Sequence, residues 1–150
     1  MSVIRQTAII SPFERFLAIL AAVVCLAIMI VFWLGLSAYQ AMWPLPGLYF
    51  IEIVTLSLIS AFMFVRGDPR GPSITWAAAG VIGVFSILGA LSIGFFYLPI
   101  ALIFAAISVT SDVRNKQHIP AHLGIFLIAG LAQLALMLAA IRLPDPSAIF

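Results

Sequence analysis

Charged side chains are scarce in this sequence, which has seven Lys and Arg and five Asp and Glu among its 150 residues. Hydrophobic residues make up 65% of the chain and its mean hydropathy is +1.26, whereas a soluble domain has roughly 45–50% apolar and 25% charged residues. The net charge of +2 comes from scattered basic residues, with no patch for nucleic acid. We therefore expect residues 1–150 to form one transmembrane domain, whose partner is the lipid bilayer, without a soluble domain.

Cysteine and catalytic motifs are also lacking. Cys25 is the single cysteine, so the chain cannot form an internal disulfide or build a Cys-rich zinc or iron–sulfur site by itself. The sequence has no His-Glu-x-x-His, no pair of membrane-embedded aspartates, no Ser/His dyad and no Gly-Lys phosphate loop. We expect a protein that is not an enzyme.

Long apolar runs are what the sequence does contain. No charged side chain occurs from Pro72 to Ser111, and because a membrane helix needs about 20 apolar residues, this run is long enough for two helices. Gly89 and Gly94 can relax the backbone in its middle, and Pro99 suits the first turn of a following helix. We predict a tight hairpin of two spans here.

The whole pattern predicts an all-α, polytopic membrane bundle, because the apolar runs are continuous rather than alternating as in barrel strands. Ser11, Pro12 and Glu14 form a capping box that starts the first helix. The five transmembrane helices are predicted at about 14–39, 48–66, 74–91, 95–111 and 120–143.

The basic residues predict the orientation of these spans, because Lys and Arg are enriched in short cytoplasmic loops. Five spans with a cytoplasmic N-terminus leave only Arg142 on the outer side. A four-span alternative moves Arg114 and Lys116 outside and weakens this asymmetry. The charges do not separate a full double crossing at 72–112 from a re-entrant hairpin, since both return the chain to the same side. The residues predicted to be cytoplasmic are Arg5, Arg15, Arg66, Arg70, Arg114 and Lys116.

Glu52 is an acidic residue within an apolar run, which makes it a candidate functional site. By helical rise it lies about 6 Å below the outer boundary of its span, where a carboxylate can still reach headgroups and water. We expect a structural pair between Glu52 and Arg142, which the topology places at the same membrane face. The alternative is a proton-relay or ion-coupling role for Glu52.

His118 and His122 are four residues apart, a spacing that on one helix suits a shared metal. Pro120 is predicted to start the last helix, however, which leaves His118 in the preceding loop, and Asp112 is the only further ligand type nearby. A haem or chlorophyll-type pigment bound through His122 is an alternative. We favour two interfacial histidines without a ligand.

Small residues predict close helix packing in the third span, because they let helix backbones approach each other in lipid. Gln133, within the last helix, is expected to form an interhelical hydrogen bond. The residues predicted to pack helices are Ala79, Gly80, Gly83, Ser86, Gly89, Ala90 and Gln133. Bulky residues expected to face lipid or a hydrophobic partner are Phe62, Phe64, Phe85, Phe104 and Phe126.

The segment 87–99, ILGALSIGFFYLP, resembles one found in small uncharacterised multi-span bacterial inner-membrane proteins, in which a similar Gly-aromatic-Leu-Pro run, here Gly94 to Pro99, leads the final span. The resemblance implies a bacterial inner-membrane protein and no particular activity. The further predicted helix at 120–143 departs from that pattern.

Two functions are open at this point. We expect a non-catalytic small integral membrane subunit that packs with other integral membrane subunits in a larger complex, with electron-transfer and light-harvesting assemblies as candidates. The alternative is a small proton- or ion-coupled transporter that uses Glu52. Whether the protein purifies alone or with larger subunits and pigments discriminates between them.

Overall fold

The structure is a computed structural model that describes residues 10–37, 45–89, 93–116 and 118–142, with side chains described within 10–35, 47–89, 93–116 and 118–139. Its five α-helices are all long and apolar enough to cross a membrane. The predicted all-α bundle with five spans is therefore confirmed. The helices are α1, Pro12–Ser37; α2, Leu45–Arg66; α3, Gly71–Leu88; α4, Leu98–Asn115; and α5, Ile119–Arg142.

Most helix boundaries differ from the predicted ones by one to four residues, and the end of α4 differs most. A 3₁₀ turn, Gly94–Tyr97, takes up the residues at which α4 was predicted to begin, so that α4 begins at Leu98 with Pro99 in its first turn. At its other end α4 continues past Ser111 to Asn115. Asp112 and Arg114, predicted to lie in a loop, stay helical because both have partners within the bundle.

The predicted capping box at the start of α1 is present. The amide of Ser11 donates to Glu14 Oε2 at 2.9 Å, and the amide of Glu14 donates to Ser11 Oγ at 3.2 Å. The same carboxylate accepts hydrogen bonds from both terminal nitrogens of Arg114, at 2.7 and 2.8 Å. One buried glutamate thus caps α1 and ties its start to the end of α4.

The first four helices close into a ring. α1 packs against α2 and α4, and α3 packs against the same two helices. Consequently α2 and α4 face each other across the diagonal of the ring, as do α1 and α3. α5 lies outside the ring and packs chiefly against α3.

The turn between α3 and α4 is tight because two glycine backbones touch. The amide of Gly94 donates to the carbonyl of Gly89 at 2.9 Å, and a Cβ added to Gly94 would lie 2.7 Å from Gly89 Cα. This is the hairpin that the sequence predicted. Ala90, also predicted to pack there, lies outside the described residues.

α3 and α5 come closest where two glycines meet. A Cβ added to Gly80 would lie 2.3 Å from the carbonyl oxygen of Phe126, and the site of a Cβ on Gly130 is 3.4 Å from the carbonyl oxygen of Gly80. Gly83 makes no such contact, because a Cβ there would meet no atom within 4 Å. The packing role predicted for Gly83 is therefore not seen among the described residues and stays a prediction.

Two other predicted packing residues of α3 are buried. Ala79 belongs to the hydrophobic core. Ser86 donates to the carbonyl oxygen of Ile82, one turn earlier in its own helix, at 2.7 Å. Its hydroxyl is therefore satisfied without a partner from another helix.

α2 and α4 end at the same end of the bundle at which α1, α3 and α5 begin, as the contacts between Glu14 and Arg114 and between Ser73 and His122 require. We call this the basic end. It carries the described basic residues Arg15, Arg66, Arg70, Arg114 and Lys116.

Candidate functional site

The most buried ionisable group of the basic end is the carboxylate of Asp112, in the last turn of α4. Its residue has no solvent exposure. Asp112 Oδ2 accepts a hydrogen bond from Trp76 Nε1 at 2.7 Å and lies 2.8 Å from His122 Nδ1. Three helices, α3, α4 and α5, therefore meet at one oxygen atom.

His122 extends this network toward the surface. Its Nε2 lies 3.2 Å from Ser73 Oγ, and its side chain is 15% exposed, in contrast to Asp112. With the Nδ1 proton donated to Asp112, Nε2 of a neutral imidazole accepts the hydroxyl proton of Ser73. We call Ser73, Trp76, Asp112 and His122 the Asp112 site.

The sequence positions this site through two prolines. Pro72 and Pro120 lie in the first turns of α3 and α5, where the missing amide hydrogen leaves no helix bond broken. Ser73 follows Pro72 directly and His122 lies two residues after Pro120, so both also lie in first turns. Because two helices begin beside Asp112, the positive ends of their dipoles favour a negative charge there.

The second carboxylate oxygen distinguishes this site from a fully satisfied network. Asp112 Oδ1 is buried and has no hydrogen-bond partner among the described residues. In a membrane, an unsatisfied buried polar atom costs several kcal/mol. Such an atom in a folded protein calls for a bound water, an ion or a proton as its explanation.

Glu52 and Gln133 form a second polar contact, between α2 and α5. Gln133 is buried and its Nε2 donates to Glu52 Oε2 at 3.2 Å. By helical rise both residues lie about 21 Å from the basic end, close to the opposite face of a hydrocarbon layer of about 30 Å. α5 therefore passes from α4 at the basic end to α2 near the other end, crossing α3 at Gly80.

The predicted pair between Glu52 and Arg142 stays a prediction, because the side chain of Arg142 lies outside the described residues.

His118 precedes α5 and is exposed. Its carbonyl oxygen accepts hydrogen bonds from the backbone amides of Ala121 and His122. Among the residues that the structure describes, no three His, Cys, Asp or Glu side chains lie close enough to hold a metal ion. A pigment bound through His122 would have to displace Ser73 or Asp112 from a ring nitrogen.

Sequence reasoning missed the Asp112 site because its members are far apart in the chain. Ser73 and His122 are separated by 49 positions, and Trp76 and Asp112 by 36. One signal was available: Asp112, Ser73 and His122 all lie at predicted helix ends on one side of the membrane. The choice of partners depends on how the helices are arranged, which a one-dimensional pattern does not contain.

Two kinds of chemistry fit the Asp112 site. The order Ser73, His122, Asp112 is that of a Ser-His-Asp hydrolase, so the expectation that the chain has no Ser/His dyad is wrong. However, neither the apolar groove between α1 and α2 nor the one beside Trp33 is lined by any of these residues. A buried carboxylate hydrogen-bonded to a partly exposed imidazole is also suited to taking up and releasing a proton. The geometry favours proton exchange.

No protein-family model, curated protein or solved structure matches the chain. The resemblance noted for the segment 87–99 therefore identifies no protein family. The structure shows five apolar helices, each long enough to cross a membrane, which is typical of a multi-pass membrane protein.

Proposed function

We propose that this protein is a small proton-linked transport protein of the bacterial inner membrane, in which Asp112 and His122 exchange protons with the aqueous phase. The observation that carries the proposal is the buried Asp112 carboxylate, bonded through Oδ2 and unpartnered within the described chain at Oδ1. Ionisable groups within membrane segments are rare and commonly mark proton or ion pathways. The alternative function predicted from the sequence was proton coupling at Glu52. The present proposal assigns that role to Asp112 instead.

The position of His122 supports this function. A proton from water can reach its partly exposed ring, and Nδ1 lies within hydrogen-bond distance of the carboxylate that would receive it. An imidazole with one ring nitrogen toward water and the other on a carboxylate is a common arrangement for a proton shuttle. Trp76 holds the receiving oxygen in place from α3.

The side of the membrane follows from the basic residues. The Asp112 site lies at the same end as Arg66, Arg70, Arg114 and Lys116. Because such residues are enriched in cytoplasmic loops, we propose that this end faces the cytoplasm. In this orientation the N-terminus is cytoplasmic, the C-terminus is external, and His122 exchanges protons with the cytoplasm.

Proton flux into vesicles tests the proposal. The purified protein is reconstituted into liposomes that contain a pH-sensitive dye, and a potassium gradient with valinomycin supplies the driving voltage. We expect flux above that of empty liposomes, and its loss in Asp112→Asn, which keeps the shape of the side chain but removes its charge. The matched control is Asp68→Asn, because Asp68 lies in the α2–α3 turn at the same end and accepts only a local amide bond from Arg70.

A variant of Ser73 separates the two kinds of chemistry. Ser73→Ala keeps the pair of His122 and Asp112, so we expect proton flux to persist. Labelling of Ser73 by a fluorophosphonate probe, abolished in His122→Gln, would instead establish a hydrolase. Wild-type flux equal to that of empty liposomes, in protein that remains folded, would refute the transport proposal.

A second function, membership in a larger membrane complex, is favoured by the groove between α1 and α2. The groove has a volume of about 600 Å³. Ala22 and Ala61, both buried, line it together with large exposed residues. Small residues at the bottom of a groove allow the close approach of another helix in lipid. The occupant we propose is a transmembrane helix of a larger integral membrane subunit. The remaining lining residues are Ile19, Val23, Leu58, Ile59, Phe62 and Val65.

Filling the groove tests this second function. In Val23→Trp the indole occupies the groove, whereas Val31→Trp places the same new side chain on the same helix, at an exposed position outside the groove. Gentle detergent extraction should give a particle much heavier than the 16.2 kDa chain with its micelle. We expect Val23→Trp to lose the partner and Val31→Trp to keep it. A wild-type particle of monomeric mass speaks against the complex.

A further inference from the structure

Three hydroxyl groups in the centre of the four-helix ring are buried and without a hydrogen-bond partner among the described residues. They are Ser60 Oγ on α2, Ser108 Oγ on α4, and Tyr97 Oη at the end of the 3₁₀ turn. All three residues have no solvent exposure. Serine in a membrane helix usually bonds to a carbonyl one turn earlier, as Ser86 does here. Ser60 and Ser108 do not.

These hydroxyls continue the line that begins at Asp112. Ser108 is one turn from Asp112 on the same face of α4, about 6 Å further from the basic end. Ser60 lies about 9 Å from the end of α2 and Ser108 about 10 Å from the end of α4, so the two are at one level on helices that face each other. A path that joins Ser108 to Ser60 would have to cross the diagonal of the ring from α4 to α2, through water molecules between the two hydroxyls.

The line goes on along α2 and α1. Ser57, one turn from Ser60, donates to Cys25 Sγ at 3.3 Å. The hydroxyl of Tyr97 in turn lies close enough to the Cys25 thiol for the two groups to interact electrostatically. From Asp112 to Tyr97 the distance along α4 is about 22 Å, most of a hydrocarbon layer of about 30 Å.

We propose that these side chains, together with water molecules that satisfy their free hydrogen-bonding positions, form a proton path through the centre of the ring. The inference rests on the proposed transport function and names its carrier, the proton, and its route. Hydroxyl groups and water both donate and accept hydrogen bonds. At each step one oxygen, or the sulfur of Cys25, receives a proton and releases another to the next group, so no oxidant or further reactant is needed. The members of the path are Asp112, Ser108, Ser60, Ser57, Cys25 and Tyr97.

Aromatic rings close the path at its far end. The ring of Tyr97 lies 5.6 Å from that of Phe85 and 6.1 Å from that of Phe50. Phe32 packs against Phe50 at 6.1 Å and against Phe96 at 5.4 Å. The path is thus connected to the basic end and blocked toward the other face, so that a proton can leave only when this aromatic cluster moves.

The test combines flux with hydroxyl removal. In the liposome assay we expect the double variant Ser60→Ala, Ser108→Ala to lower proton flux by about tenfold or more, which corresponds to about 1.4 kcal/mol or more in the barrier. Tyr97→Phe should lower it similarly. The matched control is Ser86→Ala, which removes a buried hydroxyl that is satisfied within its own helix. Its flux should equal that of the wild type.

The outcomes separate this inference from the proposed function. If wild-type flux is present and Asp112→Asn abolishes it, while the double serine variant conducts like the wild type, the transport function stands and the route is wrong. Absence of wild-type flux removes the function itself.

Thermal stability gives a readout that does not depend on flux. An unsatisfied hydroxyl in a dry core destabilises the protein, so its removal in the double serine variant would raise the melting temperature. A hydroxyl bonded to internal water would not show this gain. We expect the melting temperature to stay level or fall. A clear rise means that the centre of the ring is dry, which contradicts the water-assisted path.

Discussion

Two carboxylates at the basic end of the bundle differ in how completely their oxygens are hydrogen-bonded. Glu14 accepts a capping amide and a bidentate guanidinium, the strongest geometry available to a carboxylate. Asp112, at the same end, is more deeply buried, yet only one of its oxygens is bonded within the described chain. Stability alone explains the first arrangement. The second leaves one buried oxygen without a partner among the described residues, and the proposed proton exchange rests on that oxygen.

The Glu52–Gln133 contact yields a prediction at this scale. Gln133→Leu leaves the Glu52 carboxylate without its described donor, so we expect a loss of about 0.6–2 kcal/mol, the range of interhelical hydrogen bonds in membranes. Glu52→Gln keeps an acceptor and should cost less. The measurement is a double-mutant cycle on thermal unfolding in detergent, extended to Arg142→Gln. Coupling between Glu52 and Arg142 would support the pair predicted from the sequence, and additivity would leave Gln133 as the partner of Glu52.

Among the helices, α5 is held differently from the other four. It contributes no face to the ring and is fixed by three contacts along its length: His122 with Asp112, the meeting of Gly80 with the backbone of Phe126 and Gly130, and Gln133 with Glu52. Lipid supplies no hydrophobic drive for helices to associate, so close backbone approach and polar bonds have to hold such a helix. The Gly80 crossing is the middle of the three contacts.

Two glycines of α3 give a matched pair for a test at this scale. Gly80→Ala places a methyl group 2.3 Å from the carbonyl oxygen of Phe126, so the backbone of α5 has to move away. In Gly83→Ala the methyl group meets nothing within 4 Å, and helix propensity alone favours the change by about 1 kcal/mol. We expect Gly80→Ala to lower the melting temperature in detergent and Gly83→Ala to leave it level or raise it. Equal effects of the two would contradict the close crossing.

At the scale of the whole molecule, the distribution of charge defines an axis. Five of the described basic residues gather where α2 and α4 end, whereas Arg142 ends α5 at the opposite end, which also carries the aromatic cluster around Tyr97. α3 and α4 are each 18 residues long, which at 1.5 Å per residue is about 27 Å, enough for two full crossings. Their length therefore favours the double crossing over a re-entrant hairpin.

Cysteine labelling tests the orientation of this axis. In a Cys25→Ala background, Asn115→Cys should react with a membrane-impermeant reagent only after permeabilisation, because the basic end is expected in the cytoplasm. Ser147→Cys should react from the outside. The opposite pattern would invert the protein and place proton exchange at His122 on the external face.

Sequence alone gave reliable answers where a property depends on residues close together in the chain. The membrane class follows from the hydropathy of whole segments, the start of α1 from a capping box four residues long, and the tight hairpin from Gly89 and Gly94. Local energetics decide such features, because each span is apolar over about the length that the lipid layer requires, and the capping box satisfies backbone amides at the start of α1.

Tertiary structure decided which residues face one another. Phe64 and Phe104 were expected to face lipid or a hydrophobic partner and are fully buried in the core, whereas Phe62 is exposed as expected. Nearly every residue of a membrane helix is apolar, so hydropathy does not distinguish the lipid-facing side from the core, as it does in a soluble helix. The Asp112 site and the central hydroxyls depend on the same choice of faces. Only the closing of four helices into a ring, with α5 laid across α3, brought them together.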